Sequence, residues 1–166
     1  SIDRVYLQKD VAERLSTCQK YLDSIKPGYS LLVYDGARPL STQQKMWDAL
    51  DSIPVHLRGK FVSNPKNLSL HNFGAAVDLT IVDKLGNPLD MGANYDDPNE
   101  IAYPSKELYF LANGKLSKEQ LANRQLLRSL MRKGKFVNIP TEWWHFNACT
   151  RWEAKEKYKV LLEEPK

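Results

Sequence analysis

The sequence has no run of about 18 consecutive apolar residues, so it predicts no membrane-spanning helix. It is also poor in cysteine, with only Cys18 and Cys149. Two cysteines do not make a disulfide framework, and because each lies in an apolar pattern we expect two buried free thiols. No secretory signal pattern is visible in the sequence as it stands.

A strong charge of either sign is missing as well. The net charge is +4, and the lysines and arginines alternate with acidic residues. There is no basic run with interspersed aromatic residues, so we expect a solvated surface and no nucleic-acid partner. Repeats, low-complexity segments and interdomain linkers are also absent. The 166 residues, of which 42% are hydrophobic, therefore predict one domain over residues 1–166.

Hydrophobic periodicity and turn residues predict a mixture of helices and strands. Helices are expected over 9–26, from an N-cap at Ser41 to about residue 50, from a Ser117–Gln120 capping box to Gly134, and from 151 onward. Strands are expected over 30–34, 75–82, 136–139 and 143–147, with a short one near Leu89. Residues 52–68 and 92–105 are expected to be loops. This order favours an α+β fold with a small, mainly antiparallel sheet.

A histidine and an aspartate seven positions apart are the first candidates for function. In the strand over 75–82, Val77 and its alternate neighbours point one way, and Asp78 points the other. An acid beside small residues is unusual for a core wall. It is explained if Asp78 faces a polar site that also receives His71 from the preceding loop, so we predict two ligands of a metal ion.

The third candidate ligand lies near the end of the chain, at His145. Catalytic zinc sites keep three protein ligands and one open position, and His71, Asp78 and His145 would supply that set. Such a site lowers the pKa of a bound water toward ~7 and needs a nearby base. Glu142, three residues before His145, is the candidate base if the chain bends locally to bring the two together.

Each of these residues also has an ordinary structural interpretation. A single histidine is more often a loop or core residue than a ligand, and Asp78 alone is also explained by an ion pair with an arginine. Arg38 is either a solvent-exposed residue without a specific role or, if its turn faces the metal, a residue whose guanidinium stabilises an oxyanion. We expect one of Trp143 and Trp144 to lie in the core. The functional interpretation is favoured because the three candidate ligands and the candidate base all fall in two short segments, each at a strand.

Three segments together resemble one known family. They are Asp-Gly-Ala-Arg-Pro at 35–39, Ser-x-His-x-x-Gly-x-Ala-x-Asp-Leu-Thr at 69–80 and Glu-Trp-Trp-His-Phe at 142–146, and 90–96 is similar as well. In this order they resemble the D-alanyl-D-alanine dipeptidases, zinc peptidases of the VanX type. The resemblance covers nearly the whole chain. It implies the zinc peptidase fold shared by hedgehog domains and D,D-peptidases, and one Zn²⁺ per chain.

The resemblance also implies roles for individual residues. By it, His71, Asp78 and His145 are zinc ligands, Glu142 is the general base and acid, and Arg38 stabilises the transition state. Two further residues are implied to contact the substrate: Asp96, which would hold its ammonium group, and Ser69.

Two features depart from the family pattern. The family usually has tyrosine before the arginine of the first segment, where this chain has Ala37, which is expected to open the pocket wall beside Arg38. Family members also carry additional residues ahead of the first helix that help to close the pocket. Here Ser1 stands almost directly ahead of that helix, so either those residues were trimmed or the pocket is more open and would admit longer peptides.

The expected function is therefore zinc-dependent hydrolysis of D-Ala-D-Ala, or a similar dipeptide, in bacterial cell-wall metabolism, in the cytoplasm or the periplasm. The alternatives are a D,D- or L,D-carboxypeptidase or peptidoglycan endopeptidase with longer substrates, and, more distantly, a zinc-binding module without activity. The small peptide substrate is the one partner expected; the oligomeric state is left open.

Overall fold

The computed structural model describes residues 4–163, which form helices on a small sheet. The helices are α1 (Lys9–Ile25), α2 (Leu40–Asp48), α3 (Val55–Arg58), α4 (Glu107–Ala112), α5 (Lys118–Lys133) and α6 (Arg151–Lys157). The strands are β1 (Ser30–Asp35), β2 (Ala76–Val82), β3 (Val137–Ile139) and β4 (Glu142–Asn147). Short 3-10 turns occur at Pro65–Asn67, Leu70–Phe73, Glu100–Ala102 and Pro104–Lys106.

The sheet has the order β1-β2-β4-β3, and every neighbouring pair is antiparallel. The prediction of an α+β fold with a small antiparallel sheet is confirmed. Strand β2 is nearly completely buried between β1 and β4, and its buried residues include Asp78 and Thr80 beside the apolar ones. Its register against β4 places Asp78 directly opposite His145.

Helices α1 and α5 pack together through their apolar faces. Cys18 and Leu22 of α1 are fully buried, as are Leu127 and Leu130 of α5. The predicted capping box starts α5, with Ser117 and Gln120 each bonding the other's backbone amide. Helix α5 ends at Lys133, directly before Gly134, where the sequence predicts its end. Among the described residues, no helix is long and apolar enough to cross a bilayer.

The structure corrects four local expectations. Ser41 is not an N-cap: α2 begins at Leu40, because the amides of both residues donate to carbonyls of the C-terminal segment 161–162. Near Leu89 there is an isolated bridge in place of a strand, since only Pro88 pairs with β2. Both thiols are free, but Cys149 is only partly buried. Trp143 and Trp144 are both buried, where one was expected in the core.

Helix α4, which the sequence patterns did not predict, holds a buried carboxylate. Glu107 accepts two hydrogen bonds from Arg128, at 2.8 and 2.6 Å, and lies 3.5 Å from the guanidinium of Arg124. Arg124 is 1% exposed and donates to the carbonyls of Met91 and Ile101. This cluster ties the segment 91–101, which carries Asp96, to α5.

Replacing Glu107 with alanine should destabilise the protein strongly. The change leaves Arg124 as a buried charge without its carboxylate, which costs about 3–5 kcal/mol of unfolding free energy. Urea denaturation of Glu107→Ala beside Glu156→Ala, an exposed acid on α6, measures this; the control should change by less than about 0.5 kcal/mol. Equal stabilities of the two variants would contradict the assigned role of the cluster.

Candidate active site with a metal-binding triad

Two histidines and an aspartate meet where β2 and β4 pair. His145 Nδ1 lies 2.9 Å from Asp78 Oδ1 and 3.2 Å from His71 Nε2, and the third distance, His71 Nε2 to Asp78 Oδ1, is 3.3 Å. All three residues are buried. The structure therefore brings together the three predicted ligands, with one nitrogen or oxygen atom of each facing the other two.

The 3-10 turn before β2 delivers His71 to this point. The Ser69 hydroxyl accepts from the His71 amide, and the Asn72 side chain accepts from the Ser69 amide at 2.7 Å, so the turn is capped. Gly74 ends the turn at φ +65°, where a Cβ would lie 3.2 Å from the Gln8 amide nitrogen. A left-handed, crowded position of this kind requires glycine.

A bulge in β4 places Glu142 beside His145. In a regular strand, residues three apart point to opposite faces. Here Asn138 of β3 faces Phe146, but the next pair is Ile139 with Glu142, so residues 143–145 of β4 have no pairing partner on β3. The Asn138 side chain stabilises the bulge by donating to the carbonyls of Glu142 and His145, at 2.9 and 2.8 Å. The local bending that the prediction required is present, and Glu142 Oε2 lies 3.7 Å from His145 Nδ1.

Arg38 is fixed both through its backbone and through its side chain. Its amide donates to the carbonyl of His71 at 2.9 Å, and its carbonyl accepts from the Asn72 side chain. The guanidinium donates from Nε and Nη2 to the same oxygen of Asp35. This geometry excludes the interpretation of Arg38 as a surface residue, since its side chain is only 13% exposed.

The charges at the site shift several pKa values. Burial acts to raise the pKa of Asp78, but the rings of His71 and His145 outweigh it and hold that pKa well below its usual range. Partial burial raises the pKa of Glu142, although His145 opposes the shift. Burial also raises the pKa of Asp96, and the negative charge of Asp78 adds to it. Glu142 and Asp96 therefore take up a proton more readily than ordinary surface carboxylates.

All seven residues predicted for the site line one cleft of about 300 Å³. They are Arg38, Ser69, His71, Asp78, Asp96, Glu142 and His145. The cleft is also lined by Lys60 and Arg151, two cations that sequence patterns did not single out because neither lies in a motif. The cleft thus combines the triad with side chains of both charges.

Ala37 is not among the residues that line this cleft. Among residues 4–163 it lines a different cavity of about 430 Å³, which Arg38 also borders and which the segment 4–8 helps to enclose. The expectation that Ala37 opens the pocket wall beside Arg38 stays a prediction.

The donor atoms fit a metal ion. His71 Nε2, Asp78 Oδ1 and His145 Nδ1 all lie within 4.8 Å of one another. Two imidazole nitrogens and one carboxylate oxygen, with an open position toward a cleft, are the donor set of catalytic zinc sites. A carboxylate beside such a triad, together with a fixed guanidinium, makes the protein a metallopeptidase by class.

Comparison with known proteins identifies the family within that class. The family model described as D-Ala-D-Ala dipeptidase, Peptidase M15, matches residues 1–160, and the chain belongs to this family. A D-alanyl-D-alanine dipeptidase of Synechocystis sp. is 29% identical over 85% of this chain and 68% of its own length. That of Escherichia coli is 34% identical over 72% of this chain and 55% of its own length.

A solved structure has the same fold. The LdcB LD-carboxypeptidase, whose structure was described as revealing the molecular basis of peptidoglycan recognition, superposes with a TM-score of 0.57 at 18% identity. The match covers 94% of this chain and 65% of that one. At this identity the likeness shows the fold alone.

Removing one imidazole should abolish tight metal binding. His145→Ala leaves two donors, so we expect zinc affinity to fall by at least about 100-fold, measured by competition with a chromophoric chelator. His56→Ala is the matched control, because His56 is exposed and does not belong to the triad. Unchanged affinity in His145→Ala would contradict the assignment of the ligands.

Proposed function

We propose that the chain is a zinc-dependent dipeptidase that hydrolyses D-Ala-D-Ala, or a similar D,D-dipeptide, to free amino acids in bacterial cell-wall metabolism. The observation that carries the proposal is the arrangement of Glu142 beside the triad, in one cleft with Arg38. The family and its dipeptidase relatives support it. We place the reaction in the bacterial cytoplasm or periplasm.

His71, Asp78 and His145 would hold the zinc ion. When bound, zinc supplies a Lewis acid that polarises the scissile carbonyl and makes water easier to deprotonate. The single negative charge of Asp78 leaves the loaded site with net positive charge, which suits that chemistry.

Glu142 moves the protons of the reaction. As a carboxylate it accepts a proton from the attacking water, whose oxygen forms the new bond to the carbonyl carbon. As an acid it then donates the proton to the leaving nitrogen while the C–N bond breaks. Its raised pKa favours both steps, because a general base that also acts as an acid works best with a pKa near the operating pH.

Arg38 stabilises the negative charge that develops on the carbonyl oxygen. Its guanidinium is held in place before substrate arrives, because it donates to Asp35 while the Arg38 backbone amide donates to the carbonyl of His71. A charge that is already oriented costs no reorganisation during the reaction, which is how oxyanion stabilisation lowers a barrier.

The walls of the cleft suit a small zwitterion. Asp96 is an anion for the substrate's ammonium group, and Lys60 and Arg151 are cations for its carboxylate. Ser69 presents a hydroxyl whose oxygen accepts a hydrogen bond from the His71 amide, and its proton can be donated to a substrate oxygen. The cleft, with a volume of about 300 Å³, has room for a dipeptide.

Glu142→Gln tests the mechanism. The amide keeps the shape of the side chain but cannot accept the proton, so turnover of D-Ala-D-Ala should fall by about 100- to 10,000-fold. Zinc affinity should stay within about threefold, because Glu142 is not a ligand. Thr141→Ala, exposed and adjacent, is the control and should keep full activity. Undiminished turnover in Glu142→Gln would refute the role of the residue.

A panel of substrates tests the preference for dipeptides. With zinc supplied, we expect kcat/KM for D-Ala-D-Ala to exceed that for an N-blocked tripeptide ending in D-Ala-D-Ala by at least about tenfold, since the blocked peptide has no ammonium group for Asp96. The reverse preference would make the protein a carboxypeptidase. Zinc binding without hydrolysis of any peptide would make it a binding module.

A further inference from the structure

Each of the three ligand side chains has a second contact on its far side. His71 Nδ1 lies 2.7 Å from the carbonyl of Gly36, and the Tyr95 hydroxyl lies 3.4 Å from Asp78 Oδ2, the oxygen that faces away from the histidines. His145 Nε2 lies 2.7 Å from Asn147 Oδ1. The partner of His71 is a backbone atom, whereas the partner of His145 is a side chain to which neither the motifs nor the comparisons assign a role.

The direction of the Asn147 hydrogen bond follows from the triad. His145 turns Nδ1 toward Asp78 and His71, so a metal ion must take the lone pair of Nδ1. A neutral imidazole then carries its proton on Nε2. That N–H donates to Asn147, so the oxygen of the amide must face the ring.

The sheet holds Asn147 where it meets the ring. Residues 145 and 147 are two apart on β4, so their side chains lie on the same face. The backbone of Asn147 is paired on both sides, with Ala76 of β2 and Val137 of β3. Strand pairing on both edges therefore fixes the backbone of Asn147. Its amide oxygen can then hold the ring of His145 in one orientation.

We propose that Asn147 is a positioning residue that fixes the tautomer and the ring orientation of His145 for metal binding through Nδ1. Loss of such a partner leaves the ring free to rotate and to place its proton on the nitrogen that must bind the metal. Mutation of a residue that hydrogen-bonds a metal ligand typically lowers metal affinity or activity by about 10- to 100-fold. The inference rests on the proposed metal site but not on the identity of the peptide.

The test replaces Asn147 in two ways. Asn147→Leu keeps the size of the side chain and removes the acceptor, so zinc affinity, measured by chelator competition, should fall by about 10- to 100-fold. Asn147→Asp keeps an oxygen acceptor and should restore affinity to within about threefold of the parent. Asn67→Leu, an exposed asparagine in a 3-10 turn, is the matched control and should bind zinc normally.

Two further readouts separate positioning from general destabilisation. The melting temperature of the metal-free Asn147→Leu protein should stay close to that of the parent. In the zinc-loaded parent, the nitrogen NMR signals of His145 should show the proton on Nε2, and in Asn147→Leu this N–H signal should weaken or shift.

Parent-like zinc affinity in Asn147→Leu, or failure of Asn147→Asp to restore it, would overturn the proposal. A parent protein that binds zinc in this manner but hydrolyses no peptide would refute the proposed function and leave the role of Asn147 supported.

Discussion

The register of β2 against β4 is the constraint on which the site depends. It places Asp78 opposite His145, and a shift of one residue would turn one of the two side chains to the other face of the sheet. The hydrophobic alternation of β2 and its burial between two strands fix that register. The remaining groups are then brought to this point by loops: His71 by the capped turn before β2, and Arg38 by the turn after β1.

Buried polar groups connect these loops to the framework. The Asn72 side chain hydrogen-bonds the Ser69 amide, the carbonyl of Arg38 and the Gln43 side chain. One residue thus joins the turn before β2 and the turn after β1 to α2. On the other side of the cleft, Arg124 bonds two carbonyls of the segment that carries Asp96. Because unpaired polar groups are costly in the interior, such networks hold the loops in one arrangement.

Most of the fold was predictable from the sequence, because α1, α5 and β2 are marked by periodicity, caps and turn residues that act locally. Five of the seven candidate site residues could be named because they lie in short motifs beside these elements, whereas Ser69 and Asp96 were implied only by the family resemblance. All seven line one cleft. Features that depend on distant contacts were not predictable. Helix α4 is held by the pairing of Glu107 with α5, the start of α2 by carbonyls of the C-terminal segment, and the bulge before His145 by the side chain of Asn138.

The central claim is that one zinc ion, bound by the triad, is required for hydrolysis of the peptide bond of D-Ala-D-Ala. Zinc should be titrated into the metal-free protein while hydrolysis of D-Ala-D-Ala is followed by the release of D-alanine. We expect a rate that is negligible without zinc, rises in proportion to added zinc and stops rising at one equivalent per chain. Full activity in the metal-free protein, or no hydrolysis at one equivalent, would contradict it.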